Sequence, residues 1–117
     1  MNNIQMSVRF ADEFERKLYR LSKKYRSIRQ DVEPILEQLQ QKILLGERLS
    51  GFGDNLYVYK VTAKNSNIPK GKSGGDRIIY LLESETSILL LTIYSKSEPA
   101  DITTEQIQTI LNDVYES

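Results

Sequence analysis

The chain has no cysteine, which excludes disulfides, thiolate nucleophiles and thiolate metal sites. It also has no histidine. That removes the commonest general base, the commonest metal ligand and every histidine triad. Long apolar runs are missing too. The longest aliphatic one, Ile88 to Leu91, is far short of the roughly 20 residues a spanning helix needs. The opening residues Met1-Asn2-Asn3-Ile4-Gln5 lack a basic n-region and an apolar h-region, so no signal peptide is expected. The expectation is a soluble cytoplasmic protein with no membrane partner. Its 117 residues make a single domain, 1–117, large enough to bury a core without staples.

Net charge is zero, but the charges are sorted along the chain. Residues 16–30 carry Arg16, Lys17, Arg20, Lys23, Lys24, Arg26 and Arg29 with no acid. Residues 60–77 carry Lys60, Lys64, Lys70, Lys72 and Arg77 against Asp76 alone, and residues 97–117 carry only acids. Basic blocks suit phosphate contacts, which need a patch rather than a net charge. Ordinary solvated faces would look the same.

Hydrophobic periodicity gives the elements in order. Ile4, Met6 and Val8 alternate with polar residues through Phe10, as in a half-buried strand. Asp12, Glu13 and Glu15 open a helix where the macrodipole favours acids, and Phe14, Leu18, Leu21 and Tyr25 form its apolar face. A second helix carries Val32, Ile35, Leu36, Leu39 and Ile43, and Gly46 ends it. Asp31 is one candidate N-cap. Ser27, through the capping-box pattern Ser27 to Gln30, is its rival, at the cost of an interior Pro34. Residues 47–55 read as a loop. Strands follow at Leu56–Val61, Arg77–Leu82 and Ser87–Tyr94, the last without alternation and therefore central. Thr103 or Thr104 caps a final helix with Ile107, Ile110, Leu111 and Val114 on its buried side. The order β-α-α-β-β-β-α predicts an α+β sandwich: an N-terminal strand, a helical hairpin packed on a four-stranded antiparallel sheet, and a C-terminal helix.

The reactive inventory is carboxylates, lysine, arginine, tyrosine and hydroxyls. No acidic cluster has metal-ligand spacing, and no cofactor is expected. Gly71-Lys72-Ser73 lacks the spacing and the following helix of a phosphate loop. In an antiparallel meander, Lys60, Arg77 and Lys96 come to one edge of the sheet. Like charges kept close are costly unless an anion sits among them, and a phosphodiester is the obvious one. A crowded lysine can also serve as a base. Tyr80 and Tyr94 offer surfaces on which bases could stack. Unconnected surface cations are the plainer alternative.

Lys70-Gly71-Lys72-Ser73-Gly74-Gly75, Arg77-Ile78-Ile79-Tyr80 and Leu91-Thr92-Ile93-Tyr94-Ser95-Lys96-Ser97-Glu98, with an acidic turn into a last helix, resemble the RelE/HigB branch of the RelE/ParE toxin superfamily. The resemblance covers nearly the whole chain, including the Phe10-Ala11 and Phe14 helix start. It implies the RelE-like fold and a toxin of a type II toxin–antitoxin system. Such a toxin is an mRNA interferase that cuts mRNA on the ribosome through the RNA's own 2′-hydroxyl, without a metal. Its partners would be the ribosome and mRNA and a cognate antitoxin protein, whose complex with the toxin binds operator DNA. By position, Arg77 matches an arginine on the scissile phosphate. Lys96 matches a basic residue for phosphate or leaving-group stabilisation, and Lys60 a candidate base or charge stabiliser. Lys64, Lys70, Lys72, Tyr80 and Tyr94 would contact RNA. Three positions depart from the pattern. Thr62 stands where a second cation is common, and Ile102 near a catalytic tyrosine of some relatives, for which Tyr94 could compensate. Asp76 stands beside Arg77, with which it could pair. The alternative is a non-catalytic member: a topoisomerase inhibitor, or a degenerate toxin that binds only its antitoxin.

Overall fold

A computed structural model of the chain describes residues 5–67, 75–96 and 101–116. Its elements are β1 (Ser7–Phe10), α1 (Asp12–Lys24), α2 (Ile28–Gln40), β2 (Glu47–Arg48), β3 (Tyr57–Ala63), β4 (Asp76–Ser84), β5 (Ser87–Ser95) and α3 (Thr104–Glu116). The architecture is α+β, as expected. The sheet is not four-stranded and antiparallel but five-stranded and mixed, in the order β1-β5-β4-β3-β2. β3, β4 and β5 form the expected antiparallel meander, while β1 pairs with β5 in parallel, Ser7 opposite Ser87.

The difference comes from β2. Read as a loop, residues 47–55 supply no reversal of the chain. In the structure Glu47 and Arg48 pair antiparallel with Lys60 and Tyr59, so β2 is an extra pass. That reversal leaves β3, β5 and β1 all running the same way. Gly46 makes the pass possible: its φ is +87°, and a Cβ there would lie 2.1 Å from the Lys60 carbonyl oxygen. Gly46 therefore does not end the helix. α2 stops at Gln40 in a Schellman motif, with Ile43 N–H on the Gln38 carbonyl (3.0 Å) and Lys42 N–H on that of Leu39 (3.0 Å). Lys42 takes the left-handed position, φ 67°. Ile43, expected on the buried stripe, is 46% exposed beyond the helix.

α2 begins at Ile28 with Pro34 inside it, so the rival start holds although the capping box does not form. The Ser27 side chain makes no cap bond; its amide donates to Asn67 Oδ1 (3.0 Å). An interior proline costs about 3 kcal/mol. Burial of Ile28, Val32 and Leu39 offsets it. Asp31 is not the cap: its Oδ2 accepts from the Ser66 amide (2.9 Å) and hydroxyl (3.1 Å).

The sheet separates two cores. On one side Phe14, Tyr25, Ile28, Val32 and Leu39 of the helical hairpin meet Val61, Ile78, Tyr80, Ile88, Leu90 and Ile93. On the other, Ile107, Ile110 and Leu111 of α3, with Phe52, meet Val58, Ile79, Leu81, Leu89, Leu91 and Tyr94. The α3 N-terminus is a complete capping box. Gln106 N–H donates to Thr103 Oγ1 (3.1 Å), and Thr103 N–H donates to Gln106 Oε1 (2.9 Å). Among the described residues no helix is long and apolar enough to cross a membrane.

Tyr80 is fully buried. Its ring stacks on Tyr59 with centroids 5.2 Å apart, and its hydroxyl donates to the Leu45 carbonyl (2.6 Å). Both faces are covered, so Tyr80 is a core residue rather than a stacking surface for RNA. Tyr80→Phe should lower unfolding free energy by about 1–2 kcal/mol, because Leu45 loses its donor. Urea unfolding reads the change.

Glu83 gathers the far end of the sheet. Arg9 Nε (3.1 Å) and Nη2 (2.7 Å) of β1, Ser87 Oγ (3.0 Å) and the Tyr115 hydroxyl of α3 all donate to it. Partial burial pushes the Glu83 carboxyl up, but the bonds from Arg9, Tyr115 and Ser87 outweigh it and leave the carboxyl below its usual range. A depressed folded value means that the stabilisation is complete above the unfolded carboxylate value of about 4. It is lost as pH falls through the lower folded value. The thermal midpoint should therefore drop in acid below about pH 4. Glu83→Gln should lower it more at pH 7 than at pH 3, and equal losses at both would contradict this.

Candidate functional site

One end of the sheet carries the end of β3, the start of β4 and the end of β5. Side chains alternate along a strand, so the packing partners fix the facing. In β3, Val58 lies on the α3 side and Val61 and Ala63 on the hairpin side, which puts Lys60 and Thr62 toward α3. In β4, Ile79 and Leu81 face α3, and Arg77 shares that face. In β5 simple alternation would send Tyr94 the other way. The register slips between Ile79 and Tyr80, where Leu90 pairs with Tyr80 and Thr92 with Ile79. This bulge at Leu91 restores Tyr94 to the α3 face.

Thr62, Arg77 and Tyr94 thus form one row across three strands. Lys60 lies diagonally from Arg77, two residues along the register. Such same-face diagonals are about 7–8 Å apart. Arg77 is half-buried, with Nη1 donating to the Gly75 carbonyl (3.0 Å). Lys96 follows β5 directly and is exposed, its amide on the same Gly75 carbonyl (3.4 Å). Arg77 and Lys96 therefore come to the same sheet end, whereas Lys60, expected with them, lies mid-strand, opposite Ile79 and level with Thr92, four residues along β5 from Lys96. Lys64 is exposed just past β3. Lys70 and Lys72 lie outside the described residues.

The organiser of the site is Asp101. Its Oδ2 lies 3.5 Å from Lys60 Nζ. Its Oδ1 accepts from the Tyr94 hydroxyl and from the Ile102 amide (3.1 Å). The hydrogen bond from Tyr94 holds the Asp101 carboxyl below its usual range, with Lys60 assisting and slight burial opposing. Burial pushes the Tyr94 hydroxyl well above the usual phenol range, the Asp101 contact adds to it, and Arg77 opposes it. Tyr94 therefore enters chemistry near neutral pH as a protonated phenol, a donor rather than a base. Only 6% of Tyr94 is exposed, so its ring is not an open stacking platform either. What it presents is the hydroxyl, which arrives beside Ile102.

Asp76 lies on the face of β4 opposite Arg77. Neighbours in a strand point to opposite faces, and Asp76 is fully buried, with Oδ2 accepting from Asn65 Nδ2 (3.1 Å). Asn65 Oδ1 in turn accepts the Asn67 amide (2.9 Å). With Ser27–Asn67 and Asp31–Ser66, this chain of bonds ties the segment after β3 to the turn between the helices. It holds the start of β4 from behind while Arg77 faces α3. Gly75 is required there, since a Cβ would lie 2.7 Å from the Ala63 carbonyl oxygen.

Sequence reasoning missed Asp101 as a site residue; it belongs to the acidic turn before the last helix. The available signal was its place one residue before Ile102 and two before the Thr103 cap. No protein-family model matches the chain.

Proposed function

We infer that the chain is a RelE/HigB-like toxin of a type II toxin–antitoxin system, a ribosome-dependent mRNA endoribonuclease. One observation carries the reading: Lys60, Arg77 and the Tyr94 hydroxyl share one face of the sheet, and Arg77 and Lys96 come to the same end of it. The five-stranded α+β architecture supports it. Clustered cations are at home around a phosphodiester, whose extra transition-state charge they stabilise.

In this reading the RNA 2′-oxygen attacks the adjacent phosphorus and the bond to the 5′-oxygen breaks. The products are a 2′,3′-cyclic phosphate and a 5′-hydroxyl. One proton leaves the 2′-hydroxyl and one reaches the departing oxygen. Arg77 binds the phosphoryl oxygens. Lys60, held by Asp101, adds charge from the neighbouring strand, and Lys96 stabilises the leaving oxygen. Tyr94 donates a hydrogen bond that it gives to Asp101 in the free protein. The partners are the ribosome and mRNA, and a cognate antitoxin that keeps the protein inactive in the cytoplasm. The toxin–antitoxin complex binds operator DNA.

Induced expression should arrest growth and leave cut mRNA, and Arg77→Ala should relieve the arrest. Undiminished arrest by the variant would remove Arg77 from the mechanism. A second reading is favoured by Asp101 itself, a carboxylate that occupies both Lys60 and Tyr94 and repels a phosphate. Under it the chain is non-catalytic, binding only an antitoxin or inhibiting a topoisomerase. Intact mRNA with antitoxin binding, or inhibited supercoiling, would select it.

A further inference from the structure

β1 is an edge strand, and its ladder shows which of its backbone groups are engaged. The amides of Ser7 and Ala11 donate to the Thr86 and Leu90 carbonyls (2.8 and 2.9 Å), in parallel register with β5. Main-chain groups along a strand alternate between its two sides. Ser7, Arg9 and Ala11 therefore face β5, while Met6, Val8 and Phe10 face away. Met6 confirms the phase: its amide donates outward, to the Gln40 carbonyl at the end of α2 (2.8 Å). The next two outward positions have no such cover. Among the described residues no hydrogen bond engages the outward main chain of Val8 or Phe10.

The side chains along this edge are apolar. Val8 packs partly on the hairpin core. Phe10 shares its face, lies 5.6 Å from Phe14 between ring centroids, and is 42% exposed. Ile43, just past the α2 end that caps Met6, is 46% exposed. Edges are commonly guarded by lysine, proline or a bulge, and the sequence Ser7-Val8-Arg9-Phe10 has no lysine or proline. An open edge flanked by exposed apolar side chains is a strand-pairing surface.

The occupant that fits is β1 of a second copy. Set antiparallel about a two-fold axis at Arg9, Val8 of each copy stands opposite Phe10 of the other, and each such pair exchanges both of its main-chain bonds. On the hairpin face the smaller Val8 meets the larger Phe10, a favourable β-branched and aromatic cross-strand pair. On the other face the two Arg9 side chains meet, each already paired with its own Glu83 (2.7 Å). The pairing runs out where Met6 comes level with Asp12 of the second copy. There the positive end of one α1 dipole, carrying Asp12, approaches the negative end of the other copy's α2, followed by Lys42. Opposite dipole ends and opposite charges meet. A second copy supplies all of this by symmetry.

We propose that the protein self-associates through β1, joining two five-stranded sheets into one continuous sheet. The inference is independent of the RNA reading. The paired segment is short, so the contact belongs at the low end of interface sizes, below about 1,200 Å², and its occupancy depends on concentration. Sedimentation from about 10 μM to about 1 mM should show a monomer–dimer equilibrium. As concentration rises, the amides of Val8 and Phe10 should gain protection from hydrogen exchange. Those of Ser7 and Ala11, already bonded to the β5 line, should be protected throughout. Val8→Pro removes an outward N–H and no bond to β5, and should weaken association about tenfold or more. Phe10→Lys keeps every main-chain donor, adds a like charge beside the axis, and should weaken association as well. It guards against a folding defect in the proline variant. A monomer across the whole range overturns the proposal. So does a dimer whose affinity either folded variant leaves unchanged, or one in which the Val8 and Phe10 amides stay unprotected, because another surface then holds it.

Discussion

Arg77→Ala is expected to slow RNA cleavage by about 10²–10³-fold, the usual cost of removing one preorganised donor to a transition-state oxyanion. Its position supports an effect of that size. Arg77 sits between Thr62 and Tyr94 in the register, and its guanidinium is oriented by the Gly75 carbonyl. Arg77→Lys should recover part of the rate, because the charge returns without the two-pronged fork. The fold should survive both changes. Arg77 is only half-buried, and neither hydrophobic cluster includes it. A loss of rate with an unchanged thermal midpoint is the expected pattern. A matching loss of stability would mean that the side chain acts through the fold.

The largest effect on stability is expected at Gly46. Gly46→Ala puts a methyl group 2.1 Å from the Lys60 carbonyl oxygen and 2.9 Å from the Val61 Cα, at φ +87°. Both obstacles are backbone, so neither can swing aside. The conformation alone costs about 1–2 kcal/mol for a residue with a Cβ, and the overlap forces β2 off β3. The total should exceed about 3 kcal/mol, a large part of the roughly 5–15 kcal/mol that holds a domain together. Gly53→Ala is the matched control: its φ is +76°, and a Cβ there meets nothing within 4 Å. It should cost only the conformational part. Urea midpoints of the two variants separate contact from conformation, and equal losses would contradict the close approach.

How far the sequence could be read depended on whether periodicity or contact decided each feature. Phe14, Leu18, Leu21 and Tyr25 announce α1 because a helix repeats its buried face every three to four residues. The unbroken run from Ile88 announces β5 because the strand is covered on both sides. β2 has two residues, too few for any period, and its existence rests on one glycine lying against another strand. The bulge at Leu91 is equally silent, since apolar residues on both sides of it hide the change of phase. Without it, Tyr94 would be expected on the hairpin side and the site would lose its hydroxyl. Asp76 shows the converse. Adjacency to Arg77 suggested an ion pair, while strand alternation sends the two to opposite faces.

The central claim is that the cations at this sheet end act on an RNA phosphate, and the chain ends of the cut RNA test it most directly. mRNA incubated with the protein in a translating extract should yield fragments ending in 2′,3′-cyclic phosphate, with 5′-hydroxyl ends on the downstream pieces. Arg77→Ala should yield the same ends far more slowly. Uncut mRNA, or fragments with 5′-phosphate ends, would contradict the assignment of Lys60, Arg77, Tyr94 and Lys96 to this chemistry.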